Sequence, residues 1–396
     1  MSAAALGPEA VVLSGGGAKG AYEVGVLTAL ATGASPATGY RPIAPEIFSG
    51  TSVGSYNAAF LATRPGDFGA AVALLRDVWL QRVAAAGDRC GNGVYRVRGL
   101  PFQGLNPGCF LHPVQALKEL AADGVFLAGF AVGRGLGIAR SQVPPLARLA
   151  DTVDIAALFS TSPLENLVAT TLDCRRLAAG AQLFVVATNW QTGGGRVFTG
   201  AEIAGQVGTA AVRASVAIPG IFNPVVIDGT PYVDGGVHAN TPMVPALAAG
   251  ARQLHVIYLD PTTASMPLPA LPDTFETIYR LYTILVASHF QRALAALRAG
   301  ILPSAGGGGG GGGAARSAAA GEPWRHGAGA PRPGPGVLPI VHTYRPSNDL
   351  GGLAGLLEFR LSAIERLISE GYADAVAHDC AAAGCLLPGD GGGGGS

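Results

Sequence analysis

The residues best placed to do chemistry form the run Gly50-Thr51-Ser52-Val53-Gly54, which has the pattern Gly-x-Ser-x-Gly. It lies between a segment predicted to be a strand and one predicted to be a helix, the context in which a serine is held on a sharp turn with its hydroxyl exposed. Such a turn leaves room only for small neighbours, which explains the elbow glycines Gly50 and Gly54. We therefore predict Ser52 as a nucleophile. In the alternative interpretation, Thr51 or Ser52 only caps the helix.

A glycine-rich segment, Ser14-Gly15-Gly16-Gly17-Ala18-Lys19-Gly20, follows the first apolar run. Unobstructed N–H groups at a helix start form an anion cradle, which in an acyl hydrolase is the oxyanion hole. The same segment fits the dinucleotide pattern Gly-x-Gly-x-x-Gly. That alternative requires an acidic residue at the end of the next strand, where this chain has Gly50-Thr51-Ser52. The phosphate P-loop pattern also fails, because Lys19 is followed by Gly20.

A third element, Asp234-Gly235-Gly236, ends a predicted strand. The nearby Asp228-Gly229 lies between two apolar runs and is explained as a hairpin turn. Asp234 instead leads into a later helix, so its carboxylate is a candidate base for the serine proton. The alternative is an ordinary Asp-Gly turn.

Histidine is the usual base for such a serine. His238 follows Asp234 closely, and His342 lies in a late strand, where an α/β-hydrolase would place its catalytic histidine. Each is more often a structural residue, so both remain alternatives.

Lys19 is interpreted as a solvated lysine, or as a charge that attracts a lipid phosphate.

Taken in order, the three motifs resemble those of the patatin-like phospholipases, a family of lipid acyl hydrolases. The segment Ala214-Ser215-Val216-Ala217-Ile218-Pro219-Gly220, and Asn240 and Pro242 after the Asp, are also similar to the family's sequences. The resemblance covers roughly residues 10 to 260, with a weaker likeness in 337 to 375. Residues 84 to 150 carry none.

This resemblance implies a three-layer α/β/α sandwich with a central, mostly parallel sheet. It implies a Ser52–Asp234 dyad without histidine, an acyl-enzyme intermediate, and an oxyanion hole formed by Gly16, Gly17 and Ala18. It implies no cofactor and no metal. The substrate would be an ester of a phospholipid or related lipid. The alternatives are a nucleotide-binding Rossmann-like domain, a Ser-His-Asp esterase or thioesterase acting on soluble esters, and a scaffold without activity.

Strands and helices must position these residues. In the first 260 residues, short apolar runs alternate with helical patterns, which predicts a parallel sheet covered by helices. Strands are expected at 10–14, 43–49, 182–187, 225–227, 231–233, 254–259 and 337–344. Helices are expected at 18–31, 52–62, 68–83, 201–215, 242–249, 273–298 and 353–372. We expect one patatin-like domain, residues 8–302 plus 337–380, and an irregular surface excursion at 84–150.

Two segments of low complexity interrupt or follow this domain. Residues 303–336 contain eight consecutive glycines and are predicted to be a flexible insertion, since they cannot bury enough apolar surface to offset the entropy of ordering. Residues 386–396 are predicted to be a disordered tail. The helix at 273–298 is amphipathic, and its apolar stripe is expected to pack on the sheet, or alternatively to touch a membrane surface transiently.

Composition narrows the function class. The formal net charge is zero, from 26 basic and 26 acidic residues, so no nucleic-acid partner is expected. No secretory signal is recognised, and five cysteines without metal-ligand spacing are typical of reduced thiols in a cytoplasmic protein, peripheral to membranes at most. A Cys90–Cys109 pair is the alternative for an exported protein. Oligomeric state is not predicted.

Overall fold

The computed structural model describes residues 7–84, 92–98, 113–140, 159–179, 181–260, 274–299 and 338–387. The strands in these ranges are β1 (Glu9–Leu13), β2 (Ile47–Thr51), β3 (Arg96–Val97), β4 (Phe159–Ser160), β5 (Gln182–Asn189), β6 (Gly195–Thr199), β7 (Val225–Ile227), β8 (Thr230–Asp234), β9 (Gln253–Ile257) and β10 (Ile340–Tyr344). Eight of them form the main sheet in the order β10-β9-β1-β2-β5-β8-β7, with β6 also paired to β5, and β3 pairs with β4.

The α-helices are α1 (Gly20–Ala31), α2 (Val53–Ala62), α3 (Phe68–Val78), α4 (Pro113–Arg140), α5 (Ser162–Thr171), α6 (Gly200–Ala204), α7 (Ala210–Ser215), α8 (Gly236–Ala239), α9 (Met243–Ala248), α10 (Thr274–Arg298), α11 (Leu361–Val376) and α12 (Cys380–Ala383). Short 3-10 helices span Gly17–Lys19, Pro36–Thr38, Cys174–Ala179 and Ala354–Leu356. A π-helical turn, Trp79–Val83, continues α3.

The central strands are parallel and buried on both faces, which explains their nearly continuous apolar sequences. Alternate residues of β1 enter two separate apolar cores. Val11 and Leu13 pack with α1, α2 and α3 on one face, whereas Ala10 and Val12 pack with α9 and α10 on the other. The predicted three-layer α/β/α fold with a mostly parallel sheet is therefore confirmed.

The hairpin predicted at Asp228-Gly229 is also confirmed. Both residues have positive φ, 49° and 76°, which is the geometry that a two-residue type I′ turn requires. It joins β7 to β8 and so fixes where β8 ends. Asp234 is the last residue of β8.

The prediction of an irregular excursion at 84–150 is wrong where the structure describes it, because α4 spans 28 of these residues. Several glycines lower the helix propensity of this segment and obscure its pattern. Tertiary contacts compensate: Arg96 of β3 donates two hydrogen bonds, 2.6 and 2.8 Å long, to the Asp123 carboxylate on α4. The surface location that was predicted for this segment agrees with Val125, which is 77% exposed, although Asp123 is buried.

Several elements also differ in extent from those predicted, three of them most clearly. The second strand begins only at Ile47 because Pro42 and Pro45 precede it, and it continues to Thr51. The helix predicted at 201–215 is two short helices, α6 and α7, separated by a turn that contains Gly208 at φ 56°. The last predicted helix begins at Leu361, not at residue 353.

The stripe on α10 packs along only part of the helix. Val286 and Phe290 are buried in the second core, but Ile278 and Leu285 are 59% and 49% exposed. Among the described residues, no helix has both the length and the hydropathy needed to cross a membrane.

The two segments predicted to be of low complexity lie wholly or mostly outside the described residues. Residues 303–336 lie outside the described ranges, as do residues 388–396. Leu386 is fully buried and pairs with Val341 of β10. The prediction that the disordered tail starts at residue 386 is therefore wrong.

Candidate active site

Ser52 occupies the turn between β2 and α2 in a strained conformation, with φ 52° and ψ −129°. Few residues other than glycine adopt this region, and such strain is concentrated at functional sites. The turn is tight: a Cβ atom on Gly50 would lie 2.3 Å from the Gly54 carbonyl oxygen, and one on Gly54 would lie 2.4 Å from that of Leu13. Both elbow glycines are therefore required by close backbone packing.

Asp234 is buried at the end of β8, where β8 pairs antiparallel with β5. Its Oδ1 accepts a hydrogen bond from the Gly236 N–H at 2.7 Å. Burial raises the pKa of Asp234 to about 6, although hydrogen bonding from the Ser52 side chain and the Gly236 N–H opposes part of this rise. The structure thus brings the Ser52 hydroxyl and the Asp234 carboxylate together, and gives the carboxylate more basicity than an exposed aspartate has.

The glycine-rich loop lies against Ser52 and is bonded to Asn240. The Gly15 N–H donates to the Asn240 carbonyl and the Asn240 side-chain amide donates to the Gly15 carbonyl, each at 3.1 Å. A Cβ atom on Gly15 would lie 2.9 Å from the Ser52 Cβ. Within the described chain, no turn, loop or cap hydrogen bond uses the N–H groups of Gly16, Gly17 or Ala18. These donors therefore lie in a loop that adjoins the serine.

A pocket that is partly open to solvent begins at Ser52 and Gly17. Among the described residues that line it, none carries a charged side chain. The other lining residues are apolar or aromatic: Val53, Tyr56, Trp79, Val83, Val94, Leu164, Leu167, Val216, Ile218, Phe222, Leu356, Leu357 and Phe359. Such a pocket suits an apolar chain more than a polar or charged group.

Comparison with known proteins agrees with this site. The family model described as patatin-like phospholipase matches residues 11–247, which include the glycine-rich loop, the serine turn and the Asp-Gly-Gly segment. The chain belongs to the patatin-like phospholipase family. The resemblance drawn from the motifs is therefore confirmed.

Among solved structures, the crystal structure of VipD from Legionella pneumophila is similar, with 17% sequence identity and a TM-score of 0.37. The similarity covers 94% of this chain and 66% of VipD, so the chain spans less than two thirds of that protein's length. No curated protein matches the sequence.

The two alternative histidines lie elsewhere in this patatin-like fold. A Cβ atom on Gly195 would lie 2.5 Å from Nε2 of His238, so this ring packs over the start of β6. Burial and the neighbouring His289 lower the pKa of His238. His342 lies on β10, three strands from β2 in the sheet, with its ring stacked on His255. Among the described residues, no histidine contributes to the pKa of Asp234.

Both interpretations of Lys19 are wrong. Its side chain is fully buried and donates hydrogen bonds to Asp260 at 3.2 Å and to the Tyr279 hydroxyl at 2.7 Å. Burial alone would lower the pKa of Lys19, but its interactions with Asp260 and Tyr279 outweigh that effect and raise it. Lys19 therefore anchors the helical end of the glycine-rich loop internally, and it faces neither solvent nor a ligand phosphate.

Sequence reasoning missed two side chains that hold the site. Ser215, fully buried at the end of α7, accepts a hydrogen bond from the Ser52 N–H at 2.9 Å and donates one to the Val186 carbonyl at 2.6 Å. Tyr282 of α10 places its hydroxyl 2.6 Å from where a Cβ atom on Gly236 would lie. The segment that contains Ser215 was recognised as similar to the family, but nothing local indicated a bond to a turn 163 residues earlier.

The sequence predicted no cluster of metal-ligating residues, and here the structure differs. His342, His378, Cys380 and Cys385 converge at the β10 edge of the sheet. The spacing gave no signal because His342 is distant along the chain from the other three. Cys90 and Cys109 lie outside the described residues.

Proposed function

We propose that this chain is a serine acyl hydrolase that cleaves carboxylic esters of phospholipids or related lipids, with Ser52 as the nucleophile and Asp234 as the base. The observation that carries the proposal is the buried Asp234 carboxylate interacting with a serine held on a strained turn at the mouth of an apolar pocket. Membership of the patatin-like phospholipase family supports it.

In the first half of the reaction, the Ser52 Oγ attacks the ester carbonyl while Asp234 takes the hydroxyl proton. The resulting tetrahedral intermediate collapses, the alcohol leaves with that proton, and an acyl-enzyme ester forms on Ser52. A water molecule then attacks this ester while Asp234 accepts one of its protons, and that proton passes to Ser52 Oγ as the fatty acid is released. A carboxylate is a weak base, so the elevated pKa of Asp234 supports this role.

The oxyanion that forms at each step requires preorganised donors. We assign this role to the backbone N–H groups of Gly16, Gly17 and Ala18. The assignment is supported by the proximity of the glycine-rich loop to Ser52 and by the lack of other turn, loop or cap acceptors for these groups in the described chain. The N–H of Ser52 itself is engaged by Ser215.

The pocket supports a fatty acyl chain as the group that is bound beside the serine. Its lining gives dispersion contacts and excludes water, but the described residues of the lining offer no charged group for a head group. The head group would therefore remain outside the pocket. We also propose that residues 8–302 and 337–380 form one catalytic domain, since β10 extends the same sheet as β1 and β2.

The two rival functions have less support. A Rossmann-like nucleotide site would need an acidic residue at the end of the next strand to hold the ribose, but β2 ends at Thr51 and is followed by Ser52. A Ser-His-Asp esterase would need a histidine beside Ser52, and the described histidines interact elsewhere.

A panel of esters with the purified protein tests the proposal. We expect fatty acid release from phospholipid, lysophospholipid or neutral-lipid esters by the wild-type protein and none above background by Ser52→Ala. Ser288→Ala is the matched control, because the Ser288 hydroxyl bonds only within α10. Equal activity in wild type and Ser52→Ala would refute the assignment of the nucleophile.

A further inference from the structure

Four potential metal ligands converge on one point at the edge of the sheet farthest from β7. Cys380 Sγ lies 3.5 Å from His342 Nδ1 and 3.5 Å from His378 Nε2, and Cys385 Sγ lies 3.4 Å from the same Nε2. All four ligand atoms lie within 4.8 Å of one another. Two thiols and two imidazoles converging in this way are the donor set of a structural zinc site.

The spacing between the ligand atoms fits a tetrahedral ion. With Zn–S about 2.3 Å and Zn–N about 2.0 Å, sulfur and nitrogen at two corners of a tetrahedron are separated by about 3.5 Å. The three sulfur–nitrogen distances of 3.4 to 3.5 Å are close to this value. We propose that His342, His378, Cys380 and Cys385 form a zinc-binding site, separate from the serine site, that fastens the C-terminal segment to the sheet.

The local backbone holds the two cysteines in place. Asp379 caps α12 by accepting a hydrogen bond from the Ala381 N–H at 2.8 Å, and Gly384 ends the helix in the left-handed region at φ 70°. The Cys385 N–H donates to the Cys380 carbonyl at 3.0 Å. The turn that carries three of the ligands is therefore closed before any ion binds, which reduces the entropy lost on binding.

The surroundings also suit a metal-bound thiolate. The backbone N–H of Thr343 donates to Cys385 Sγ at 3.3 Å, a bond that strengthens when the sulfur is ionised. The ring of His342 is fixed by stacking on His255, with centroids 5.3 Å apart. Such contacts around the ligands orient them as outer-shell groups do in known metal sites.

Zinc binding would be linked to proton release. A cation deprotonates a thiol that it coordinates, so binding one Zn²⁺ would release up to two protons, one from each cysteine.

The site joins parts of the chain that are distant in sequence. His342 lies on β10, which follows the segment of low complexity along the chain. Cys380 begins α12, beyond α11, and Cys385 follows it. Apart from the zinc ligands, the contact between this end and β10 includes the Val341–Leu386 bridge. A metal ion there would stabilise the last strand of the sheet against detachment.

Cobalt binding to the reduced full-length protein tests the proposal. After removal of metal by a chelator, Co²⁺ is expected to bind with one equivalent, giving a thiolate-to-cobalt charge-transfer band and the intense visible bands of tetrahedral cobalt, and Zn²⁺ should displace it. Cys380→Ser and Cys385→Ser should each weaken binding at least about tenfold and reduce the charge-transfer band. Cys174→Ser is the matched control and should bind as wild type does, since Cys174 lies outside the cluster.

X-ray absorption of the zinc-loaded wild-type protein needs no variant and should give two sulfur and two nitrogen neighbours at about 2.3 and 2.0 Å. Octahedral cobalt without a thiolate band, or equal loss of binding in Cys174→Ser, would overturn the proposal. So would a Cys380–Cys385 disulfide whose reduction yields protein that binds no metal.

Discussion

The two clusters of reactive side chains in this molecule are assembled in opposite ways. At the serine site, each group lies at or beside a glycine-rich turn: Ser52 between Gly50 and Gly54, Asp234 before Gly235. At the cysteine–histidine cluster, His342 comes from a strand and the other ligands from the turn around α12. The first cluster has a local signature because backbone geometry demands it. The second depends on topology, so short motifs do not reveal it.

The clusters also differ in what burial does to them. In the serine site burial raises the pKa of Asp234 to about 6, which keeps the carboxylate ionised but more basic near neutral pH. In the other cluster burial favours neutral imidazole and thiol. The serine site is thus suited to moving a proton, whereas the thiols of the second cluster would release their protons to solvent only when a cation binds. If this contrast is correct, a substitution in one cluster should impair only the function of that cluster, either ester hydrolysis or metal binding.

Asp234→Asn should give the largest effect. Without the carboxylate, Ser52 loses its base, and kcat/KM for ester hydrolysis should fall by roughly 10²- to 10⁴-fold. The matched control is Asp228→Asn in the same hairpin, where asparagine suits the positive φ of the turn, and this variant should hydrolyse as wild type does. Cobalt binding should be unchanged in both. Equal loss of activity in the two variants would show that the effect is structural and would contradict the role of Asp234 as the base.

Acidification should produce the next largest effect. Because protonated Asp234 cannot accept the serine proton, log kcat/KM should approach unit slope as pH drops below about 6, a fall of roughly 50-fold between pH 6 and pH 4. The measurement is a pH–rate profile on a neutral ester, with circular dichroism at each pH. An unchanged rate down to pH 4 in folded protein would argue against Asp234 as the base.

Ile218→Trp should change which substrates are used. Ile218 lines the pocket and is only half-buried, so a larger side chain should shorten the space for the acyl chain. The preference for long over short acyl esters should fall roughly 10- to 100-fold, measured as the ratio of kcat/KM values. Val226→Trp is the control, on the exposed face of β7 and outside the pocket. No change in the ratio for Ile218→Trp would show that the acyl chain lies elsewhere.

Ser215→Ala should have the smallest effect, because Ser215 positions the nucleophile without touching substrate. Loss of its hydroxyl removes the acceptor of the Ser52 N–H, and kcat should fall by about tenfold or less, with KM unchanged. Separate determination of kcat and KM distinguishes this from a general loss of stability. Reduced melting temperature with full kcat would mean that the bond serves only the fold.

Much of the fold and site could be predicted, for identifiable reasons. Ser52, Asp234 and the glycines around them were predictable since tight turns restrict residue type over a few positions. Ser215 and Tyr282 were not, because each acts on a segment far away in sequence. The helix α4 was missed because its glycines obscure the helical periodicity of its sequence. The ion pairs to Arg96 that stabilise this helix are not visible in the sequence. Buried Lys19 was misjudged, since nothing near it in sequence indicates Asp260 as its partner.

The identity of the nucleophile is tested most directly by reaction with a fluorophosphonate, followed by mass spectrometry of the labelled peptide. The account predicts one adduct, on Ser52, that is absent from Ser52→Ala and persists in His238→Ala and His342→Ala. Labelling that survives in Ser52→Ala would contradict the account, and loss of labelling in either histidine variant would point to a histidine base in place of Asp234.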